Sequence, residues 1–159
     1  MKVRFNVNGE AVEVEARAAE MLLDILRGGL DLTSVRYTCG VGVCGACTVL
    51  VDGEPISTCI LLAPLAEGKE ITTVEGLGGD HPVQKAFVEV ESFQCGYCTP
   101  GMILTAKSLL EENPEPTDEK IRAYMGGNLC RCGCYAKIED AVNLAATASK
   151  AAATIKGGT

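Results

Sequence analysis

The chain has 159 residues, of which 21 are Asp or Glu and 14 are Lys or Arg, so its formal net charge is −7. This acidic balance argues against nucleic acid as a partner. No apolar run approaches the roughly 20 residues of a membrane span, and the N-terminus alternates polar and apolar residues instead of forming a signal peptide. We therefore expect no membrane partner and a cytoplasmic location, where nine cysteines indicate metal binding rather than disulfides.

The first half of the chain has the pattern of a small mixed sheet. Alternating apolar residues on both sides of Asn8-Gly9 predict a hairpin over residues 3–14 with a type I′ turn. An apolar stripe over residues 18–26 predicts a short helix that ends at a Gly-Gly pair. Strands are predicted at residues 48–51, 56–59 and 70–74. This order is typical of a β-grasp-like ferredoxin domain.

Four cysteines lie within this half, in the stretch CGVGVCGACTVLVDGEPISTC. Cys39, Cys44 and Cys47 have the C-x4-C-x2-C spacing of plant-type 2Fe-2S ferredoxins, and Cys59 is available as the distant fourth ligand. Three glycines in the loop allow positive φ angles that turn backbone N–H groups toward sulfur. A zinc site or disulfides are the alternatives to a cluster.

The second half has a helical pattern. A glycine-rich segment, residues 76–81, is interpreted as a linker, and the only histidine, His81, as a capping or solvated residue. Helices are predicted at residues 82–90, from Thr99 as N-cap to about residue 113, from Thr117 as N-cap to about residue 125, and at residues 136–148. Residues 150–159 are predicted to be a frayed tail.

A second set of cysteines stands before two of these helices. Cys95 and Cys98 occur in QCGYC, and Cys130 and Cys132 in NLCRC. Helix N-termini are expected to lower the pKa values of these thiols. A single-residue spacer is unusual for zinc sites, where two to four residues are typical. An iron-sulfur cluster is therefore favoured over zinc. Its C-x-C sulfurs either bind one iron or bridge to both irons. Cys134 is interpreted as a small, partly buried thiol.

These patterns predict an α+β fold in two parts. Residues 1–75 form an N-terminal β-grasp 2Fe-2S ferredoxin-like domain. Residues 76–81 form the linker, and residues 82–159 form a C-terminal four-helix-bundle 2Fe-2S domain with the frayed tail. No nucleophile and base pair, phosphate-binding loop or paired carboxylate is evident, so no catalytic residue is predicted.

The runs CGVGVCGACTV, QCGYCTPGM and GNLCRCGCY resemble the iron-sulfur subunit of the molybdenum hydroxylases, in family order and over nearly the whole chain. This resemblance implies an electron-transfer subunit of a hetero-oligomer that oxidises an N-heterocycle or an aldehyde. It assigns the second cysteine set to the cluster nearer molybdenum and the first set to the farther one. It also places Gln94 and the backbone around Cys132 against molybdopterin in a large partner subunit.

The same resemblance implies FAD in a medium subunit as the usual electron acceptor, and an assembly that can be a dimer of heterotrimers. Two positions depart from the family pattern. Thr38 stands where many relatives have Gly, and Gly133-Cys134 stands where many have Thr-Gly or Gly-Thr. A free-standing two-cluster ferredoxin and a zinc-binding interaction module are the alternative functions.

Overall fold

The structure, a computed structural model, describes the backbone of residues 1–156 and the side chains of residues 1–150. A five-stranded mixed sheet comes first along the chain, and a group of longer helices follows it. The predicted α+β fold with a ferredoxin-like part before a helical part is therefore confirmed. None of the described helices combines the length and the apolar character that a membrane span requires.

The sheet has the strand order β2-β1-β5-β3-β4, with β1 and β5 parallel and the other neighbours antiparallel. Its strands are β1 (Lys2–Val7), β2 (Glu10–Glu15), β3 (Thr48–Val51), β4 (Glu54–Ser57) and β5 (Glu70–Thr72). Asn8 and Gly9, between β1 and β2, both have positive φ, at 53° and 84°. A type I′ turn requires this of both central residues, so the predicted hairpin is confirmed.

The predicted helix over residues 18–26 is wrong at its start. Helix α1 covers only Leu22–Asp24 and continues as a π-helical turn, Ile25–Gly29. Met21 is extended and forms a β-bridge with Leu62, and the N–H of Leu22 donates to Leu61 O at 2.7 Å. Because this pairing occupies the backbone before Leu22, the helix cannot begin earlier.

The first hydrophobic core joins the sheet to α1 and the π-helical turn. Val3, Phe5, Leu22 and Ile71 are among its buried members. Cys47 and Cys59 belong to the same core. Two cysteines of the first set are therefore anchored among apolar side chains. The other two, Cys39 and Cys44, lie earlier in the loop that leads to β3, where Cys39 is partly buried against the same core.

Up to residue 156, the second half contains four α-helices, α2 (Pro82–Glu89), α3 (Thr99–Glu112), α4 (Asp118–Met125) and α5 (Tyr135–Lys156). A capping box begins α2, in which His81 Nδ1 accepts from the N–H of Val83 and the N–H of His81 donates to Gln84 Oε1, each at 3.3 Å. Thr117 Oγ1 accepts from the N–H of Lys120 at the start of α4. The capping interpretations of His81 and Thr117 are thus confirmed.

Two predicted helix ends differ from the structure. Cys98, not Thr99, is the N-cap of α3, and its side chain makes no capping hydrogen bond. Helix α5 continues past residue 148 to Lys156, the last residue whose backbone the structure describes. The last part of the predicted tail, residues 157–159, lies outside the described residues.

A second hydrophobic core lies among these helices. Phe87, Met102, Leu109 and Val142 are among its buried members, and Cys130 is part of it. Each half of the chain thus has a core of its own, and each core contains cysteines. The domain limits at residues 1–75, 76–81 and 82–159 stay a prediction.

Candidate metal centres

The β3–β4 hairpin brings together two cysteines that are 12 positions apart in the sequence. Cys47 immediately precedes β3, and Cys59 follows β4 by one residue. The Thr58 hydroxyl donates to Cys47 O at 2.9 Å, which fixes the two ends of the hairpin against each other. Cys47 is 2% exposed and Cys59 6% exposed, so this side of the predicted site is dry.

The four sulfurs of the first set meet as two pairs. Cys39 lies against Cys44, and Cys47 lies against Cys59. A 2Fe-2S core held by four cysteines takes two thiolates on each iron. The arrangement therefore offers one pair of sulfurs to each iron.

Backbone hydrogen bonds favour the thiolate form of Cys39 in the outer pair, Cys39 and Cys44. The N–H of Val41 donates to Cys39 Sγ at 3.5 Å. This hydrogen bond, followed by one from Cys44, lowers the pKa of Cys39 to about 6. Gly40, Gly42 and Gly45 have the predicted positive φ angles, at 68°, 76° and 67°. The loop is thus shaped to point N–H donors at sulfur, which stabilises a metal-bound thiolate.

In the inner pair, Cys47 and Cys59, burial has the larger effect on the pKa of Cys59. Burial, and then contact with Cys47, raises the pKa of Cys59 to about 11. The N–H of Gly42 opposes this shift by donating to the same sulfur. Since a metal binds the thiolate, a metal held by this pair would have to displace the proton that the buried Cys59 thiol holds tightly.

The second set also forms two pairs, and each pair takes one cysteine from each motif. Cys95 lies against Cys132, and Cys98 lies against Cys130. The two cysteines of the C-x-C motif therefore point to different partners. This arrangement fits a two-iron core in which the C-x-C sulfurs bridge to both irons, one sulfur on each, which is one of the two possibilities that the sequence leaves open.

The expected pKa lowering in this set holds for Cys95 and is wrong for Cys98. The N–H of Tyr97, and then the Cys132 thiol, lowers the pKa of Cys95. Burial, and then Cys130, raises the pKa of Cys98 to about 12, although this residue caps α3. Desolvation of the thiolate outweighs the helix N-terminus here.

Cys130 and Cys134 are neighbours in space. Burial of Cys130 opposes its ionisation, but the N–H of Cys134, at 3.5 Å from Cys130 Sγ, and the Cys98 thiol outweigh it and lower the pKa. Burial, and then Cys130, raises the pKa of Cys134. Cys134 is partly buried, as the sequence predicts, and it lies beside the predicted ligands as a backbone donor.

Gln94 and Arg131 both lie at the surface beside the second set. The N–H of Gln94 points toward the sulfur of Cys134. Arg131 lines a cavity of about 380 Å³ together with Cys44 of the first set and Cys98 and Cys130 of the second. One cavity is therefore bordered by cysteines of both predicted sites.

Two contacts between the halves lie next to the cysteines. The N–H of Leu129 donates to Cys44 O at 2.9 Å, and Asn128 Nδ2 donates to Gly45 O at 3.0 Å. Neither residue is predicted from the sequence as part of the site, although both lie within two positions of the predicted ligand Cys130.

Among residues 1–150, His, Cys, Asp and Glu side chains do not form a group of three that could hold a single metal ion. Within each set the thiols contact each other in pairs, and the pairs lie near enough to affect one another, as Cys39 does Cys59 and Cys95 does Cys98. The fold and these pairs define a class of protein, an iron-sulfur protein with a ferredoxin-like half and a helical half.

Comparison with known proteins agrees with this class. The family described as "2Fe-2S iron-sulfur cluster binding domain" matches residues 5–74, and the family described as "[2Fe-2S] binding domain" matches residues 73–143. The chain is 50% identical to the nicotinate dehydrogenase small FeS subunit of Eubacterium barkeri over 146 residues, which are 90% of this chain and 93% of that protein.

Solved structures show the same relationship. Quinoline 2-oxidoreductase from Pseudomonas putida 86 contains a chain with a TM-score of 0.90 and 41% identity, over 94% of this chain and 96% of that one. The aldehyde oxidoreductase of Desulfovibrio desulfuricans matches with a TM-score of 0.91 and 42% identity, over 94% of this chain but 17% of that longer one. The chain belongs to the family of iron-sulfur small subunits of the molybdenum hydroxylases. It is thus an electron-transfer subunit of an oxidoreductase.

Proposed function

We propose that the two cysteine sets bind one 2Fe-2S cluster each. The ligands of the first are Cys39, Cys44, Cys47 and Cys59, and those of the second are Cys95, Cys98, Cys130 and Cys132. The observation that carries this assignment is the division of each set into two sulfur pairs. When bound, the clusters supply reversible electron storage, with potentials set by burial and by hydrogen bonds to sulfur.

The protein's own residues would set those potentials. The Val41 N–H beside Cys39 and the Cys134 N–H beside Cys130 stabilise negative charge on sulfur. Hydrogen bonds to cluster sulfurs favour the more negative, reduced state and so raise the reduction potential. Buried apolar neighbours of Cys47 and Cys59 exclude water from the other side of the first site.

The direction of electron flow in this proposal runs from the second site to the first. Gln94 and the backbone around Cys132 face molybdopterin in a large partner subunit, and exposure of Gln94 and Cys95 supports an open surface there. The first site faces FAD in a medium subunit or another acceptor. The assembly is a hetero-oligomer, with a dimer of heterotrimers as its fullest form, in the cytoplasm.

The substrate of the complex is proposed to be an N-heterocycle. The names of two relatives, nicotinate dehydrogenase and quinoline 2-oxidoreductase, identify substrates of that class, and the third relative acts on an aldehyde. The substrate pocket would lie in the partner subunit, so this chain contributes electron transfer rather than substrate binding.

Low-temperature EPR of the dithionite-reduced chain, in the complex with which it copurifies, tests the two-cluster assignment together with iron and zinc analysis. We expect two distinct S = 1/2 signals and about four irons per chain. A single signal, or zinc in place of iron, would show that the second half is structural. Copurification of molybdenum and flavin would separate a subunit from a free-standing ferredoxin.

A further inference from the structure

The side chain of Asn128 connects the two candidate sites. Asn128 is 5% exposed and lies two residues before Cys130. Its Nδ2 donates at 3.0 Å to the carbonyl oxygen of Gly45, the residue after Cys44. A single buried amide thus links the ligand loop of the first site to the ligand loop of the second across 83 positions of sequence.

The orientation of this amide is fixed from its other end. The hydroxyl of Thr105 lies 3.0 Å from Asn128 Oδ1 and 2.9 Å from Gly101 O, so it shares its proton between two acceptors. A flipped amide would place Oδ1 against Gly45 O, and two acceptors would then face each other. The network therefore has one arrangement that satisfies every group.

The backbones around this amide are in close contact. A Cβ atom added at Gly101 would lie 2.3 Å from Gly45 O, and one added at Gly45 would lie 2.6 Å from Asn128 Nδ2. The N–H of Leu129 forms a second link by donating to Cys44 O at 2.9 Å. The Cys44-Gly45 segment is thus held by two hydrogen bonds against the segment that leads into Cys130.

We propose that Asn128 is a positioning residue that sets the distance and orientation between the two cluster sites. This inference rests on the proposed function, in which both cysteine sets bind clusters. The step that it serves moves one electron from the reduced second site to the oxidised first site, with no bond made or broken. Because electron tunnelling slows steeply with distance, a shift of the Cys44-Gly45 segment changes the rate without removing a ligand.

A side-chain hydrogen-bond donor is required for this role. Leucine has a similar size and shape but no polar atom, whereas a buried aspartic acid would be protonated and would still donate to Gly45 O. A buried carbonyl oxygen that loses its donor carries a desolvation cost that no hydrogen bond offsets. Asn128→Leu is therefore expected to displace the Gly45 segment while leaving all eight predicted ligands in the chain.

The test uses the full chain in its complex. Wild-type protein is first shown to contain about four irons and two EPR signals, since failure at this point contradicts the proposed function and not the role of Asn128. Asn128→Leu is then expected to retain its iron, to change the spin–spin splitting between the two reduced clusters, and to slow electron transfer between them about tenfold, as measured by rapid-freeze EPR.

Ser108→Ala is the matched control. Ser108 Oγ donates to Gly53 O at 3.0 Å, so this variant also removes a hydrogen bond between the halves, but one away from the cysteines. We expect it to lower the unfolding temperature while leaving the splitting and the rate unchanged. An equal change of splitting in Ser108→Ala would overturn the proposal, and so would a fully loaded Asn128→Leu protein with wild-type splitting and rate.

A second variant decides the case in which Asn128→Leu loses iron or does not fold. Thr105→Val keeps the donor of Asn128 but removes the hydroxyl that orients it. A smaller change of splitting in the same direction is expected. Wild-type splitting and rate in an iron-loaded Thr105→Val protein would overturn the role of the Asn128 network.

Discussion

Cys39 and Cys59 ionise differently although both belong to the first predicted site. The Val41 N–H, helped by Cys44, lowers the pKa of Cys39 to about 6, whereas burial and contact with Cys47 raise the pKa of Cys59 to about 11. Between these values Cys39 is a thiolate and Cys59 is a neutral thiol. The two cysteines therefore differ in reactivity as well as in exposure.

This difference predicts the order of alkylation in the cluster-free chain. At pH 7 iodoacetamide should modify Cys39 and the exposed Cys95 before the buried Cys59 and the partly buried Cys98, because the thiolate is the nucleophile and the pKa values of Cys59 and Cys98 are raised. Labelling of Cys39 should fall as the pH drops below about 6, where its thiolate is protonated. Peptide mapping by mass spectrometry after brief exposure measures the order. Equal labelling in a chain that retains its far-UV circular dichroism would contradict it.

Cysteine substitutions separate the ligands from the ninth cysteine. Cys47→Ser should remove or alter the first cluster and leave the second, because Cys47 pairs with Cys59 in the first core. Cys134→Ser should retain both clusters, because its contact to Cys130 includes a backbone N–H that serine also has. EPR and iron content measure both results. Loss of a cluster in Cys134→Ser would show that the ligand assignment is incomplete.

Among the structural elements, the turns and helix caps that depend on neighbouring residues can be predicted from the sequence. The Asn8-Gly9 turn follows from residues that tolerate positive φ, and the caps at His81 and Thr117 from side chains two or three positions from their partners. The start of α1 depends instead on the bridge between Met21 and Leu62, about forty positions apart. The apolar periodicity of residues 18–26 contains no information about that pairing. It therefore predicts a helix that begins several residues before the observed one.

Helix α3 is expected to tolerate no side chain at Gly101, where it faces the loop that carries Cys44 and Gly45. Alanine usually stabilises a helix relative to glycine, but Gly101→Ala would place its Cβ 2.3 Å from Gly45 O. The resulting displacement should lower the free energy of unfolding by about 1–3 kcal/mol. Chemical denaturation of the iron-loaded protein measures this change.

Gly127→Ala is the control for Gly101→Ala. Its Cβ would meet no described atom within 4 Å, so its effect should stay within about 0.5 kcal/mol. Equal destabilisation by the two variants would show that the contact between Gly101 and Gly45 is not tight.

At the scale of the whole molecule, two cores are joined by a polar interface that the sequence could not reveal. Besides the Asn128 network, Tyr97 OH donates to Tyr37 O at 2.7 Å, and the Arg36 guanidinium lies 5.5 Å from the centre of the Tyr97 ring. The spacing of the cysteines predicted which residues form each set. The pairing of sulfurs within each set and the contact between the sets depend on long-range packing, which a single sequence does not encode in any local pattern.

This interface predicts that the two halves stay together after the chain is cut between them. A protease recognition sequence inserted between Gly78 and Gly79, both exposed, should be cleaved without loss of iron. The fragments should then elute as one species in size-exclusion chromatography, because buried contacts hold the halves together. Separate elution would show that the linker, rather than the interface, keeps the halves associated.

The position of the Asn128 contact in the sequence also has a consequence for biosynthesis. The sheet and all four cysteines of the first half are complete once β5 has been translated, whereas Asn128 follows 56 positions after Thr72. At about 5–20 residues per second, the ribosome needs several seconds to cover that distance. The Cys44-Gly45 segment of the nascent first half is therefore uncovered for this interval, before the second half can close over it.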